Sequence, residues 1–404
     1  MNILYINHYA GNPELGMEFR PFYLAKEWQE NGHNALILAA NFSHLRRKNP
    51  ENTGFETQDN VNYYWIKTPA YKGNGFGRVL NIFSFVGRIF CHKKKILSHI
   101  KPDIVVASST YPFDIFPAWW IAKTTKAKLV FEIHDLWPLS LTEIGGMSKY
   151  HPFVLLVGLA EKAAYKLPDK IISILPKTYQ HAKKFGVKEE NFIVIPNGIV
   201  LKDWEVKENL PDSHSAAITK LKENGDFLVG YAGAHGVANA MEYLIDAAKS
   251  LQGKKIHFVL IGDGQEKENL IQYAKKLGVD NVSFLGRINK NAIPTFLAQM
   301  DALYLGWQKQ SLYRFGIGAN KIFDYMMAER PVLHSVTAGN DPIKDAGCGI
   351  SVEAENPAAL VQAILELISK SPKDRAQMGR NGKEYVLANH DYKILAKDFL
   401  KILL

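Results

Sequence analysis

Short apolar runs alternate with longer amphipathic stretches along most of the chain. Continuous apolar runs predict strands that are buried on both faces, and apolar positions three or four residues apart predict helices. Regular alternation of the two favours doubly wound parallel sheets, and therefore the α/β fold class. The predicted strands cover residues 3–7, 35–40, 63–68, 104–108, 128–134, 170–175, 192–196, 227–232, 257–261, 282–285, 302–306, 332–335 and 350–353.

The predicted helices fall between these strands, and a polar, strand-free stretch at residues 200–226 separates two similar series. We therefore expect two Rossmann-like domains, residues 1–200 and 201–385, that face each other across a cleft where the loops at the carboxyl ends of the strands meet. A final segment, residues 386–404, contains an amphipathic helix. The other predicted helices cover residues 18–31, 77–98, 112–123, 152–166, 177–185, 238–251, 265–277, 291–298, 320–328 and 357–369.

Composition agrees with two soluble globular domains. The chain has 404 residues, of which 47% are hydrophobic and 22% charged, as in ordinary globular proteins. Cys91 and Cys348 belong to no CxxC pair, so neither a disulfide framework nor a zinc site is expected, and a reducing cytoplasm fits. The apolar start at residues 2–7 does not resemble a signal peptide, and no apolar run is long enough to span a bilayer.

The net charge of +9 is concentrated in one region. Residues 61–102 contain eight basic side chains and no acidic one, interleaved with large apolar residues. This composition predicts either an interfacial segment, residues 72–101, that lies on an anionic membrane surface, or a core helix with a basic outer face. No nucleic-acid-binding motif accompanies the cations, so nucleic acid is not an expected partner.

The stretch from Tyr313 to Pro331 is the first candidate for chemistry. Its glycines, among them Gly318, form an approach loop, and a helix is expected to begin near Asn320, which is a good N-cap. The helix N-terminus and Lys321 favour a phosphate, and Asp324 lies about one turn further along the same face, where it suits ribose hydroxyls. The plain alternative is an ordinary helix with a solvated Asp and Lys.

Three further glycine turns follow predicted strands of the second half. Glycines at such positions let backbone N–H groups approach a phosphate or nucleotide, and backbone groups at the third turn suit a base edge. Each turn is weak evidence by itself, but together with residues 320–324 they outline one nucleotide-sized site. The residues concerned are Gly233, His235, Gly236, Gly262, Gly264, Arg287 and Ile288.

The first half carries two further candidates. His134 and Asp135 follow a strand and should face the cleft, where a neutral imidazole could bind a sugar hydroxyl while Asp135 fixes its tautomer or binds elsewhere. A buried structural histidine is the alternative. The loop at residues 8–20 contains Gly16 and leads into a helix, as a ligand-binding loop or a plain strand-to-helix turn would.

These motifs resemble the retaining glycosyltransferases of the GT-B fold, family 4, over nearly the whole chain. Residues 7–11, 16–21 and 318–321 are similar to the subgroup of L-fucosamine (N-acetyl-fucosaminyl) transferases of surface-polysaccharide assembly. The resemblance implies a UDP-sugar donor bound mainly by the C-terminal domain, an acceptor on the N-terminal domain, no metal ion or cofactor, and a last helix that crosses back. It implies catalytic roles for His134, Asp135 and Lys321, acceptor binding by His8, Glu18 and Arg20, and donor binding by Gly16, Arg314, Gly318, Asn320, Asp324 and the glycine-turn residues.

The chain departs from the family pattern in two features. The family usually has two glutamates eight residues apart in the 313–331 stretch, whereas here Asp324 replaces the second and residues 311–319 hold no acid. The family also has Arg and Lys after the first strand of the second domain, where this chain has Ala234 and Asn239. The diphosphate charge would then fall to Lys321 and Arg314.

The expected function is a retaining, metal-independent transfer of a sugar from a UDP-sugar to an undecaprenyl-diphosphate-linked glycan. An N-acetylated deoxy-sugar such as N-acetyl-L-fucosamine fits the subgroup, and O-antigen or capsule assembly at the inner face of the cytoplasmic membrane fits the acceptor. The alternatives are a UDP-sugar 2-epimerase, which needs acid and base residues, and a non-catalytic nucleotide-sugar-binding or membrane-scaffold protein.

Overall fold

A computed structural model describes residues 1–73, 75–206 and 208–401. The chain divides into two compact units, each with its own mainly parallel sheet. Within the described residues, the first unit comprises Met1–Gly198 and Tyr392–Lys401, and the second comprises Ile199–Asp391. The two Rossmann-like α/β sheets predicted from the apolar pattern are therefore confirmed.

Most strands coincide with the predicted apolar runs. Their bounds are β1 Asn2–Ile6, β2 Asn34–Ala40, β3 Gly54–Gln58, β4 Val61–Ile66, β5 Ile104–Ala107, β6 Lys128–Ile133, β7 Lys170–Ser173, β8 Phe192–Val194, β9 Phe227–Ala232, β10 Ile256–Ile261, β11 Val282–Leu285, β12 Ala302–Gly306, β13 Val332–Ser335 and β14 Gly349–Val352.

The helices follow the prediction less closely than the strands do. Their bounds are α1 Arg20–Glu30, α2 Phe76–His99, α3 Ile115–Thr125, α4 Pro152–Lys166, α5 Tyr179–Ala182, α6 Lys202–Glu205, α7 Asp212–Glu223, α8 Met241–Ser250, α9 Lys267–Leu277, α10 Ile293–Leu297, α11 Asn320–Met327, α12 Pro342–Asp345, α13 Pro357–Ser369, α14 Pro372–Asn389 and α15 Tyr392–Lys401. The predicted final helix extends to residue 404, and residues 402–404 lie outside the described residues.

The sheet of the first unit has the order β3-β4-β2-β1-β5-β6-β7-β8. Neighbouring strands are parallel except for the antiparallel pair of β3 and β4. Helix α15 packs on α1, where the Trp28 indole donates to the Ala396 carbonyl at 2.9 Å and the Trp28 and Phe399 rings lie 5.1 Å apart. The last helix is thus part of the first unit.

The sheet of the second unit has the order β11-β10-β9-β12-β13-β14 and is parallel throughout. In both sheets the strand order reverses beside the first strand, between β1 and β5 and between β9 and β12. Ligands of open α/β sheets bind at the carboxyl edge beside such a reversal. The loops that follow β1 and β9 are therefore in the position expected of binding loops. Among the described helices, none is long and apolar enough to cross a membrane.

Candidate functional site

The carboxyl edge of the first sheet carries a cluster of four ionisable side chains. Arg20, at the start of α1, donates from Nε and Nη2 to Glu132 Oε1 at 3.0 and 2.9 Å. His134 Nε2 lies 2.9 Å from Glu132 Oε2, and its Nδ1 lies 3.2 Å from Glu18 Oε1. The structure therefore brings three predicted residues, Glu18, Arg20 and His134, together around Glu132, which was not predicted.

The carboxylates keep His134 charged. Burial by itself lowers the pKa of His134, but Glu18 and Glu132 outweigh this effect and raise the pKa to about 10. Burial likewise opposes ionisation of Glu132, but Arg20 and His134 hold the pKa of its carboxyl well below the usual range. The pKa of Glu18 is also lowered, because His134 offsets the effect of its burial. At neutral pH the cluster holds two positive and two negative charges.

Neighbouring polar groups complete this charge cluster. The Tyr5 and Ser108 hydroxyls donate to Glu132 Oε2, and the Ser108 hydroxyl also lies 2.8 Å from His134 Nε2. Arg20 donates to the carbonyls of Ile195 and Pro196 as well. The contacts of Nε2 with Glu132 and Ser108, together with the Glu18 carboxylate near Nδ1, fix the orientation of His134. Among the four side chains of the cluster, only Glu18, with 25% of its side chain exposed, is accessible from solvent.

The neutral His134 imidazole expected from the sequence is therefore wrong, because two carboxylates contact the ring. Nor does Asp135 fix its tautomer. The Asp135 carboxylate accepts from the Leu136 N–H at 2.8 Å, the Trp137 indole at 3.1 Å and the Ser140 hydroxyl at 2.5 Å, and so holds the turn after β6. A catalytic role for Asp135 remains a prediction.

Two other predicted residues of the first unit lie in closely packed surroundings. His8 is fully buried beside Tyr111, whose hydroxyl contacts Nδ1, and burial together with nearby Arg46 holds the pKa of His8 well below its usual value. Gly16 has a φ of +108°, and a Cβ there would lie 2.9 Å from the Arg47 nitrogen. Both residues shape the loop after β1, while their predicted contacts with acceptor and donor remain predictions.

The second unit has a cavity of about 360 Å³ at the carboxyl ends of β9, β10 and β11. Residues from all three predicted glycine turns contribute to its wall, which supports the idea that the turns form one site. The cavity is lined by Gly233, Ala234, Ile261, Gly262, Asp263, Arg287, Ile288 and Ile293. Gly236 lines a neighbouring cavity of about 300 Å³.

Two of these turns pack directly on each other. Gly262 and Gly264 have φ values of +137° and +157°, and a Cβ at these positions would lie 1.9 Å from the Gly233 oxygen and 2.3 Å from the His235 oxygen. Only glycine permits this backbone contact. The loop is further held by the His235 N–H, which donates to the Asp263 carbonyl at 2.8 Å. The glycines therefore shape the cavity wall through loop packing.

His235 itself faces the protein interior. It is fully buried, and within the described ranges neither ring nitrogen has a hydrogen-bond partner. Burial, assisted by the positive charge of Lys267, lowers the pKa of His235 to about 4, so the ring is neutral at physiological pH. Lys267 donates to the carbonyls of Gly262 and Leu285 at 2.8 and 2.9 Å, which places an unpredicted cation beside the carboxyl ends of β10 and β11.

Lys321 joins the first turn of α11 to the loop after β9. Its ammonium contacts the amide oxygen of Asn239 and lies 4.2 Å from the centre of the Trp307 ring. Asn239 in turn donates to the carbonyl of Ala234, which lines the cavity. Burial lowers the pKa of Lys321 to about 8. The Lys321 ammonium therefore lies beside Asn239, the position at which the family usually has a lysine.

A buried chain of hydrogen bonds supports Trp307. Its indole N–H donates to His334 Nε2 at 3.0 Å, and His334 Nδ1 lies 2.8 Å from Asp341 Oδ1. Because Nε2 accepts from the indole, the proton of a neutral His334 belongs on Nδ1, facing Asp341. These contacts fix the ring against which Lys321 packs.

The remaining predicted residues of the 313–331 stretch are more dispersed. Asn320 is the first residue of α11 and does not cap it, because Ala319 occupies the N-cap position. Asp324 is half-buried beside Trp204, and burial raises the pKa of its carboxyl to about 6. Arg314 is exposed, and Gly318 lies in the loop that leads to α11. Their donor contacts remain predictions.

One signal in the sequence pointed to the missing member of the charge cluster. Glu132 interrupts an otherwise apolar run in β6, and a carboxylate in a buried strand needs a charged partner. No comparable local signal marks Lys267 or Trp307, whose roles follow from the chain's tertiary contacts. Within the described residues, no group of three or more His, Cys, Asp or Glu side chains is arranged to hold a metal ion.

Family comparisons identify the class of both units. The two sheets and their surrounding helices form the GT-B fold, as shown by structural neighbours that cover the full chain. Residues 16–203 match the family described as Glycosyltransferase Family 4, and residues 215–385 match Glycosyl transferases group 1. The chain thus carries a family 4-type and a group 1 glycosyltransferase domain, in that order.

Individual relatives are distant. The chain is 28% identical to an uncharacterized glycosyltransferase of Methanocaldococcus jannaschii, over 41% of this chain and 45% of that protein. It is 25% identical to the D-rhamnosyltransferase WbpZ of Pseudomonas aeruginosa, over 53% and 54%. The matches thus span about half the length of each relative. The Anabaena protein HepE, solved in complex with UDP, has a TM-score of 0.68 at 16% identity, over 100% of this chain and 99% of that chain.

Proposed function

We propose that the chain transfers a sugar from a UDP-sugar to an acceptor glycan, without a metal ion and with retention of configuration at the transferred carbon. The observation that carries this proposal is the cavity at the carboxyl ends of β9, β10 and β11, together with Lys321 of α11, which contacts Asn239 in the loop after β9. UDP bound to HepE, a protein of the same fold, supports a UDP donor.

Lys321 would stabilise the departing diphosphate. Its ammonium is already positioned by Asn239 and Trp307, so little reorganisation is needed when negative charge develops on the leaving group. The glycine turns would let backbone N–H groups approach the same phosphates, and Asp324 would hold the ribose. With these groups in place, the leaving diphosphate itself could assist attack from the same face of the sugar.

The charge cluster of the first unit would organise the reacting sugars. His134 is cationic and held by Glu18 and Glu132, so its role would be to orient Glu18 towards the substrate, whereas a general base would have to be neutral. Glu18 is ionised and partly exposed, which suits a carboxylate that accepts from an acceptor hydroxyl. The acceptor proposed is an undecaprenyl-diphosphate-linked glycan at the inner face of the cytoplasmic membrane.

Donor binding is tested by the melting temperature of the full chain in EDTA with a panel of UDP-sugars, UDP, GDP and ADP. We expect UDP and at least one UDP-sugar to raise the melting temperature, and Lys321→Met to reduce the rise. Lys275→Met, which removes an exposed cation near the end of α9, is the matched control and should behave like the wild type. Protection that needs a divalent metal, or none by any uridine nucleotide, would contradict the proposal.

Turnover is tested with the protecting donor and a lipid-linked acceptor. Product with the anomeric configuration of the donor, read by NMR, is the expected outcome, and an N-acetylated deoxy-sugar such as N-acetyl-L-fucosamine is the proposed donor sugar. An epimerised free UDP-sugar in the absence of acceptor would instead identify a 2-epimerase. Donor protection without turnover on any acceptor would indicate a non-catalytic binding protein.

A further inference from the structure

We propose that three neighbouring helices of the first unit, α2, α3 and α4, form one docking face that inserts into an anionic lipid bilayer. This face extends well beyond residues 72–101, of which residue 74 lies outside the described part of the chain. The inference extends the membrane location of the proposed function, but bilayer binding by this face does not depend on sugar transfer.

Helix α2 is apolar on two sides. One stripe, which includes Ile82, Phe85 and Ile89, is buried against the sheet. A second stripe at helical spacing faces outward and contains Phe76, which is 81% exposed, followed by Leu80, Phe83 and Phe90. A helix of a soluble domain needs only one apolar stripe. The outward stripe is therefore not needed to pack α2 on its sheet, and it stays at least one third exposed although Phe83 contacts Phe113 and Phe90 contacts Trp120.

Helices α3 and α4 continue the same apolar surface. Helix α3 packs beside α2 and exposes Phe116, Trp119 and Trp120, and the Trp120 ring lies 5.4 Å from that of Phe90.

Helix α4 packs beside α3 and exposes Leu155, Leu156 and Leu159, the last to 67%. Scattered exposed apolar residues are ordinary, whereas ten large apolar side chains exposed on helices that pack side by side are of the kind that marks an interaction site. The ten are Phe76, Leu80, Phe83, Phe90, Phe116, Trp119, Trp120, Leu155, Leu156 and Leu159.

The distribution of charged residues on the three helices indicates that anionic lipid is the partner of this face. The three helices contain a single acidic residue, Glu161, and it is buried against His181 at 2.7 Å. Arg78 and Arg88 lie among the exposed apolar positions of α2, and the other lysines and arginines of the three helices follow those positions: Lys93, Lys94 and Lys95 in α2, Lys123 in α3, and Lys162 and Lys166 in α4. Apolar side chains bordered by cations, with no exposed carboxylate, match the boundary of an anionic leaflet.

The two tryptophans lie at the border between the apolar and basic parts. Lys93 Nζ lies 3.6 Å from the Trp120 ring centre, and Lys123 Nζ lies 4.9 Å from that of Trp119. Tryptophan prefers the headgroup level of a membrane, because its ring is apolar and its N–H is polar. Both pairs therefore suit a position where the hydrocarbon meets phosphate groups.

The orientation of this docking face agrees with the proposed function. Each of the three helices follows a strand, so its N-terminal half, which carries most of the apolar residues, starts from the carboxyl edge of the sheet. Glu18 and His134 lie at that same edge. Insertion of the apolar part would thus hold the edge with the charge cluster close to the membrane surface, where a lipid-linked glycan is presented.

The test is co-sedimentation of the full chain with vesicles of phosphatidylglycerol and phosphatidylcholine, compared with phosphatidylcholine alone. We expect binding that needs phosphatidylglycerol and shifts the tryptophan emission to the blue. Trp119→Gln/Trp120→Gln should weaken binding at least tenfold. Lys93→Gln/Lys94→Gln/Lys95→Gln should weaken it by about fivefold per lysine, and most strongly at low salt.

Leu387→Gln is the matched control, because Leu387 is 37% exposed on α14 of the second unit. It should bind vesicles like the wild type. Circular dichroism melting and UDP protection of each variant separate loss of docking from loss of folding or of the proposed donor site. Binding that is absent, unaffected by the tryptophan and lysine variants, or equal on uncharged vesicles would overturn the inference. So would a stable dimer that the tryptophan variant dissociates, since a second copy would then cover this face.

Discussion

The charge cluster of the first unit and Lys321 of the second unit differ in how their buried charge is balanced. In the first unit, Arg20 and His134 are matched by Glu132 and Glu18, so four charges neutralise one another at the carboxyl edge of the sheet. In the second unit, Lys321 contacts an amide oxygen and an aromatic ring, and its pKa falls to about 8 because burial is not offset.

This difference separates charges that are neutralised within the fold from a charge for which we propose a ligand. A balanced cluster is already satisfied and loses most when one member is removed, because the others are left buried and unpaired. An unbalanced cation costs free energy in the empty protein, and an anion that binds beside it recovers that cost. The same kind of substitution should therefore impair stability in one unit and ligand affinity in the other.

The largest effect is expected from Glu132→Gln. The substitution keeps the size of the side chain but leaves Arg20 and His134 without their shared counter-charge, so the free energy of unfolding should fall by about 3–5 kcal/mol. Denaturant unfolding followed by circular dichroism measures the change. A loss below about 1 kcal/mol would mean that the cluster does not stabilise the unit.

The next largest effect is expected from Lys321→Met, which should lower the affinity for UDP. Removal of a charged hydrogen-bond donor to the diphosphate costs about 1.5–3 kcal/mol, or roughly ten- to 150-fold in the dissociation constant of UDP. Stability should not fall, because the variant removes a partly desolvated charge. Calorimetric titration with UDP measures the affinity, and thermal melting of the same sample measures the stability. A variant that is destabilised but binds UDP normally would show that Lys321 stabilises the fold and does not bind the nucleotide.

The pH dependence of UDP binding sharpens this contrast. Because the pKa of Lys321 is about 8, the side chain loses its charge as pH rises through that value, and affinity should fall about tenfold between about pH 7 and 9. Lys321→Arg stays charged and should not show this decrease, which corrects for titration of the nucleotide itself. Identical pH profiles for wild type and Lys321→Arg would exclude Lys321 as the titrating group.

The smallest effect is expected from Glu51→Gln, the exposed counterpart of Glu132→Gln in the same unit. Glu51 pairs with Lys48 at 3.2 Å, and both side chains are more than half exposed. Water screens such a pair, so the free energy of unfolding should change by no more than about 1 kcal/mol. A loss as large as that of Glu132→Gln would show that burial is not what separates the two carboxylates.

The sequence predicted the elements best where apolar periodicity was strong. The bounds of β9, β12, α4 and α13 agree with the structure to the residue. It missed β3, an antiparallel strand with alternating burial at the sheet edge, and it missed α7 and α14, which are mainly polar. Capping chemistry was the available signal for α14, since Ser371 accepts from the Asp374 N–H just before Pro372.

The candidate site was predictable in its loops and less so in its electrostatics. Glycine turns at strand ends can be read from local sequence, and residues from all three line one cavity. The charge of His134 could not be read in full from local sequence, because it depends on Glu18, which lies 116 positions away in the chain, as well as on the nearby Glu132. The prediction of a neutral His134 ring was wrong for this reason.

The sequence by itself determined the α/β class, the two sheets and the loops that carry polar residues, because apolar period, glycine position and chain order are local properties. Only the tertiary structure decided which charges are neutralised, which cation stands beside the cavity and which helices expose a second apolar stripe. Those properties depend on distances between residues that are remote along the chain, and on how much water each side chain retains after folding.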